Sequence, residues 1–267
     1  MNKLGLIAGN GIFPLEVAKA VRRQGIRVVA VAHLNETETA LSAEVDELTW
    51  VKVGELERII EVFKRSGVDQ AAMAGGISRA RLGDSFAPDA RALRMLSRIG
   101  RFSDDAVLRG VAGEVEAEGI PMIDPVPFIP DALARAGRIA GPEPSAAQLR
   151  DLDLAFAVAR QIGVFDIGQT VAVRDGTVAA VEAVEGTDAA LRRAAQFMGK
   201  RLVVAKSAKP GQDLRFDRPA IGPATIALLD EIGAVVLGIE AEVTLLLERE
   251  RTIEAARSAG VTVYGYG

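Results

Sequence analysis

The sequence predicts an α/β fold divided into two domains, and three observations carry the prediction. Through roughly residues 1–130, short apolar runs alternate with segments of helical periodicity. The stretch from Pro125 to Pro144 then holds five of the chain's 11 prolines and breaks that alternation. Beyond it a hairpin signal appears, followed by a second alternation of strands and helices.

The elements follow in order. "KLGLIA" (3–8) reads as a buried strand, "GNGIFP" as a turn, and Leu15, Val17, Ala18 and Val21 as a helix face that Gly25 ends. "IRVVAVA" (26–32) is the second strand, so the chain opens with a β–loop–α–β unit of a parallel sheet. The first domain is on that ground a doubly wound α/β domain. "VDELTWVKV" supplies another strand, residues 55–66 an amphipathic helix closed by Gly67, and "VDQAAMAGG" a strand running into a glycine-rich loop. Ser103 caps a helix with an acidic first turn, and "PMIDPV" reads as a short strand. Residues 145–163 form a long helix. "TVAVRDGTVAAVEAV" (170–184) is a hairpin turning at Arg174-Asp175-Gly176-Thr177. "RLVVAKSA", "GAVVLGIEA" and "GVTVYGYG" complete the strands. The domains are 1–135, an α/β domain; 136–162, linker and helix; and 163–267, a second, distinct α/β domain.

Composition narrows the chemistry. The 267 residues are 49% hydrophobic and 25% charged, enough for a core and a solvated surface. A net charge of −4 and a pI near 5.3 argue against a nucleic-acid partner. With no cysteine, thiolate nucleophiles and Cys-ligated zinc are excluded, and the single histidine, His33, excludes a multi-histidine site. A metal would be held by oxygens, which favours magnesium or manganese. No apolar run reaches the roughly 18 residues of a membrane span, and the N-terminal run is too short and too glycine-rich for a signal peptide. The expected location is the cytoplasm.

Five segments hold the candidate site. Gly9, Asn10 and Gly11 follow the first strand, where backbone N–H groups can meet an anion. Pro14 stands where a dinucleotide fingerprint needs its third glycine, so NAD binding is not supported. Gly75, Gly76 and Arg79, with Arg81, follow the predicted strand end at which open sheets bind ligands. Gln169 and Thr170 precede the hairpin, while Glu182, Glu185, Asp188 and Thr187 end or follow it; these acids suit a hard cation, and Thr187-Asp188 equally suits a helix cap. "KSAKPGQDLRFDRPAIGP" (206–223) is long, polar and of mixed charge, as a functional loop would be. Lys209 and Asp213 are its catalytic candidates, and Lys206, Gln212 and Arg215 its binding candidates. Glu240 and Thr244 end and follow a later strand. Asp188 and Glu240 are the candidate metal ligands. His33 reads as a satisfied structural histidine.

These segments, in this order, resemble the LpxI family of UDP-2,3-diacylglucosamine pyrophosphatases of lipid A biosynthesis. The resemblance rests on "IAGNGIFP", "MAGGISRARL", "DIGQTVAVRDGTVAAVEAVEGTDA", "AKPGQDLRFDRPAIGP" and "IEAEVTLLLERE". It implies a Rossmann-like N-terminal domain (1–135) and a distinct C-terminal catalytic domain (163–267), and magnesium-dependent hydrolysis of the UDP-sugar pyrophosphate to UMP and 2,3-diacylglucosamine 1-phosphate (lipid X), with substrate between the domains. It also implies a homodimer, and peripheral contact with the inner face of the inner membrane through the lipid. Two departures stand out. Glu242 and Val243 occupy the place of a more usual Gly-Lys pair before Thr244. Ala224 occupies a position where the family commonly carries an acid, just inside a helix whose free N–H groups favour a carboxylate. The chain therefore reads as an impaired hydrolase able to hold its substrate uncleaved. The competing readings are a non-catalytic nucleotide-sugar or acylated-sugar binding protein and, against the glycine pattern, a nicotinamide-dependent oxidoreductase.

Overall fold

The computed structural model describes residues 1–78, 86–100 and 103–267. Arg79 and Arg81 lie outside the described residues. The fold is α/β throughout, in two packed units: Met1–Pro130 with Asp213–Asp217, and Asp131–Gln212 with Arg218–Gly267.

The first unit contains β1 (Lys3–Ala8), α1 (Phe13–Arg23), β2 (Arg27–His33), β3 (Glu47–Val51), α2 (Leu56–Ser66), β4 (Gln70–Ala74), α3 (Ala90–Arg98) and α4 (Asp104–Glu116). Its sheet has the order β3-β2-β1-β4, all parallel. Side chains alternate across the pleat. Leu4, Leu6 and Ala8 pack with Leu15, Val17, Ala18 and Val21 of α1 on one face. Ile7, Val29 and Val31 pack with Ile59, Ile60 and Phe63 of α2, Met95 of α3 and Val115 of α4 on the other. The helices of the two crossovers thus lie on opposite faces, and the direction of winding reverses between β1 and β4. "PMIDPV" is not a strand: Met122 makes a single parallel bridge with Ala71, and prolines on either side leave too few donors to extend it. Helix α3 went unanticipated; the Asp89 side chain caps it, accepting from Ala92 N–H at 2.8 Å.

The second unit contains β5 (Gly137–Ala140), α5 (Ala146–Val164), β6 (Thr170–Arg174), β7 (Thr177–Val181), α6 (Thr187–Met198), β8 (Val203–Lys206), β9 (Ala220–Ile221), α7 (Pro223–Glu231), β10 (Val236–Glu240), β11 (Leu245–Leu246), α8 (Arg249–Ser258) and β12 (Thr262–Tyr266). The main sheet runs β5-β12-β10-β8-β6-β7, with β8, β10 and β12 parallel and β5, β6 and β7 antiparallel to their neighbours; β9 and β11 form a separate parallel pair. Leu152, Ala155, Phe156 and Ala159 of α5 cover one face. Leu191, Ile226, Leu229 and Ala256, from α6, α7 and α8, cover the other. Gly238 lets α5 approach: a methyl there would strike the Leu152 side chain and lie 2.8 Å from Phe156. Ser145 and Gln148 close a capping box at the start of α5. The hairpin turn has Asp175 and Gly176 both at positive φ, 48° and 75°, the conformation of a primed turn.

Thr187-Asp188 is not the cap of α6. Gly186, at φ 80°, holds that position, and the Thr187 hydroxyl turns instead to Glu182. No helix among the described residues is long and apolar enough to cross a membrane.

Candidate functional site

The polar candidates of the second unit meet at one end of its sheet because of strand register. Parallel β8 and β10 both point their carboxyl ends there, and antiparallel β6 begins there. Thr170 pairs with Lys206, and Lys206 with Ile239, the residue before Glu240. Ser207 N–H donates to the Gln169 carbonyl at 3.0 Å, and Glu182 N–H to the Thr170 carbonyl at 2.9 Å. Gln169, Thr170, Glu182, Lys206, Ser207 and Glu240 therefore share one edge. Thr244 follows by one turn, its N–H donating to the Glu240 carbonyl at 3.0 Å.

Most of the acids on this edge are held by donors of the protein. The Glu182 carboxylate accepts from the Gln169 N–H at 3.2 Å and from the Thr187 hydroxyl at 2.8 Å. Glu240 accepts from the Ala208 N–H at 2.9 Å and the Ser207 hydroxyl at 3.2 Å, with the Arg160 guanidinium at 3.7 Å. Arg160 in turn lies over the stacked rings of Phe156 and Tyr266. Glu185 pairs with Arg193, and hydrogen bonds from its own backbone and from Arg193 hold its carboxyl below the usual range. Asp188 is in the first turn of α6, within electrostatic range of Arg192. Among the described residues no three acidic or histidine side chains gather to hold a metal. Glu182, Glu185 and Asp188, close in sequence, do not make the cage that three acids in seven residues promised.

Some polar groups are left open. The Gln169 side-chain oxygen and the Thr170 and Thr244 hydroxyls are buried without a hydrogen-bond partner among the described residues. A buried hydroxyl without a partner costs about 1–3 kcal/mol, a cost that a ligand's phosphate or carbonyl oxygen would remove. Lys206 donates to the Ala220 carbonyl at 3.0 Å, tying the end of β8 to β9, the short strand before α7.

That helix begins as its sequence requires. Gly222 is the N-cap and Pro223 occupies the first turn. Ile226 and Leu229 are buried, and Ala224 is exposed. No acidic side chain lies in the first turn.

The polar loop 206–223 divides. Lys209 is a salt-bridge partner of Asp166 at 2.7 Å, and its backbone exchanges hydrogen bonds with Gln212, closing a turn within the second unit. Asp213 and Arg215 pack with the first unit. Asp213 N–H donates to Asp105 at 2.8 Å, and the Asp213 carboxylate receives the Arg215 guanidinium at 2.9 Å. That hydrogen bond holds the Asp213 carboxyl below its ordinary value. Arg215 also donates to the Met122 carbonyl and stacks 4.5 Å from the Phe216 ring centre. Their partners are structural, and the pair anchors a short segment of the loop.

In the first unit the two glycine loops touch backbone to backbone at the point where the winding reverses. Gly9 N–H donates to the Ala74 carbonyl at 2.8 Å and Asn10 N–H to the Gly76 carbonyl at 2.7 Å. These two amides are thus taken up inside the protein and are not free for an anion. A methyl on Gly9 would lie 2.7 Å from the Gly75 backbone, and one on Gly75 would meet the Asn10 carbonyl. His33 is buried, its ring nitrogen 2.9 Å from the Ala8 carbonyl, and burial depresses its pKa.

One buried acid beside these loops escaped the sequence reading. Glu36 is only 5% exposed. One carboxylate oxygen accepts from the Asn10 amide at 2.9 Å and the Ser78 N–H at 3.0 Å; the other has no partner among the described residues. In "HLNETETA" it lies beside Glu38, and only its place just past a strand end set it apart.

An α/β protein with lysines, open hydroxyls and carboxylates at the carboxyl edge of a sheet, and no cysteine to serve as nucleophile, belongs to the class that binds phosphorylated ligands. The chain is a member of the LpxI family: residues 3–132 match the LpxI N-terminal domain and 135–264 the LpxI C-terminal domain. It is 37% identical to the UDP-2,3-diacylglucosamine pyrophosphatase LpxI of Caulobacter vibrioides over 278 aligned positions, 99% of this chain and 98% of that protein. Among solved structures, pyruvate carboxylase of Rhizobium etli is 16% identical over 62% of this chain and 13% of its own, with a TM-score of 0.30. The biotin carboxylase domain of Hydrogenobacter thermophilus 2-oxoglutarate carboxylase is 16% identical over 76% and 43%, with a TM-score of 0.28. Likeness this slight carries no argument.

Proposed function

We propose that this chain hydrolyses the pyrophosphate of UDP-2,3-diacylglucosamine to UMP and 2,3-diacylglucosamine 1-phosphate, and that Ala224 slows the reaction. The observation that carries this reading is the polar edge of the second sheet, in a chain whose near full-length relative bears that activity in its name. Lys206 offers a positive charge at the edge, and Thr170 and Thr244 offer hydroxyl donors; together they suit phosphate oxygens on which charge develops. In this reading water is the nucleophile, and the chain offers no cysteine and only a buried histidine to take its place. An acid at position 224 would stand at a helix N-terminus, where the dipole stabilises its anionic form.

The protein's own acids do not assemble a metal cage among the described residues. Magnesium needs only one or two carboxylates when phosphates and water complete its shell. In this reading Glu240 and Asp188 are the carboxylates that would contact magnesium, or manganese in its place, and the bound ion would supply positive charge to the pyrophosphate oxygens. Apolar side chains border the polar edge: Phe165 and Ile167 precede Gln169, Val184 follows Glu182, and all three are exposed. They suit an acylated sugar whose tails stay close to the inner leaflet, which would place a cytoplasmic protein at that surface. Homodimerisation belongs to the same proposal and is read by light scattering.

The test is UMP release from UDP-2,3-diacylglucosamine with magnesium, for the chain as it stands and for Ala224→Asp. A positioned carboxylate acting on water contributes about 10²–10⁴-fold, so the substituted protein should be faster by at least about 10². Failure of both proteins to release UMP, with substrate still bound, would instead favour a binding module.

A further inference from the structure

We propose that Glu36 is a binding residue for the vicinal hydroxyls of a ribose, which makes the end of the first sheet, beside the glycine loops, a nucleoside subsite. This rests on the reading of the substrate as a uridine nucleotide sugar. Three observations support it. The first is place: ligands of open parallel sheets dock beyond the strand carboxyl ends where the winding reverses. Here that point lies between β1 and β4, and Glu36, carried past the end of β2, is tied to both of their loops through Asn10 and Ser78.

The second is the unmatched oxygen. A carboxylate this deeply buried with one oxygen bare is costly, and the cost persists unless a donor arrives. Among the described residues the neighbouring groups do not supply one. The His33 ring is turned to the Ala8 carbonyl, and the Thr37 hydroxyl donates to that same carbonyl at 2.7 Å. The third is the rigidity of the frame. Gly9 and Gly75 meet at backbone contact, so the Asn10 side chain that orients Glu36 projects from a fixed turn.

The chemistry then selects the donor. A phosphate would be repelled by the carboxylate. Uracil carries one N–H flanked by two carbonyl oxygens, which would face the carboxylate with like partial charge. A cation would want further acids, and none cluster here among the described residues. A cis-diol brings two hydroxyl donors and no charge, and hydrogen bonds to an ionised acceptor are the stronger kind.

The experiment is calorimetric titration of the full chain with UMP and with 2′,3′-dideoxy-UMP, for the wild type and for Glu36→Gln. The wild type should bind UMP at least about tenfold more tightly than the dideoxy compound, since a site built for hydroxyls rejects their absence. Glu36→Gln should bind the two compounds equally, at the weaker affinity. Equal binding by the wild type, no binding of either compound, or discrimination kept by Glu36→Gln would each overturn the proposal. The wild-type comparison decides even if the variant fails to fold. Ribose discrimination without UMP release from UDP-2,3-diacylglucosamine would sink the hydrolase reading alone; release without discrimination would sink only this one.

Discussion

Three glycines in the first unit separate two physical costs that usually arrive together. Gly9 has ordinary φ but would drive a methyl into the Gly75–Gly76 backbone; Gly11 has φ 80° with open space around it; Gly75 has φ 82° and would strike Asn10. Each is to be replaced by alanine. The left-handed conformation costs an L side chain about 1–2 kcal/mol. Overpacking costs about 1–3 kcal/mol, and the upper end applies at Gly9 and Gly75 because backbone cannot rotate away. Both costs are offset by about 0.4–1 kcal/mol through the stiffer unfolded chain. Gly11→Ala should therefore lose about 1 kcal/mol, Gly9→Ala about 2 and Gly75→Ala about 4. Urea titration followed by tryptophan fluorescence reads this unit alone, since the chain's one tryptophan, Trp50, lies in β3. With a slope of about 2 kcal/mol per molar, the midpoints should fall by about 0.5, 1 and 2 M. A Gly9→Ala midpoint matching wild type, or a Gly11→Ala loss as large as that of Gly75→Ala, would refute the close-approach argument.

Burial lowers the His33 pKa below its unfolded value of about 6.5. The folded state then binds fewer protons, so the stability is whole above about pH 6.5 and declines as pH falls toward the folded value. His33→Gln should flatten the urea midpoint between pH 7 and pH 5; an unchanged slope would count against it. The Asp213 pKa is depressed chiefly by its hydrogen bond from Arg215. Its contribution is present above the unfolded carboxyl value and lost as pH falls through the folded one. The Arg215 side chain is 43% exposed, so Asp213→Asn should cost no more than about 1 kcal/mol at pH 7, and progressively less as the pH falls through the folded value, by the same fluorescence assay. A large loss of UMP release with stability unchanged would instead make Asp213 catalytic.

Local rules carried much of this fold into view. Val28 to Ala32 read as strand from an unbroken apolar run, Gly67 as a helix stop, and Arg174–Thr177 as a primed turn, because each depends on neighbours in sequence. The antiparallel edge strand β5 did not, since "GRIA" is short and acquires meaning only beside β12. "PMIDPV" had the composition of a strand but too few free donors to extend its single bridge to Ala71.

The candidate site divides along the same line. Glycines, lysines and acids following strand ends are visible as residue types, and the missing acid at Ala224 is visible only against a family pattern. Which of them share an edge was decided by register: Thr170 and Lys206 lie 36 positions apart and meet because β6 runs antiparallel to β8. Asp213 and Arg215 resembled Lys209 in every local respect, yet packing carried them to the other unit, where they bind one another. Glu36 and Glu38 are alike in composition, and only the first is buried against Asn10. The sequence by itself determined the strands, the helices, their turns and the chemistry available to them, since these follow from local torsional preference and hydrophobic period. The tertiary structure alone decided which charges are left bare and which are spent on one another, because solvent exposure and the company of distant residues exist only once the chain is packed.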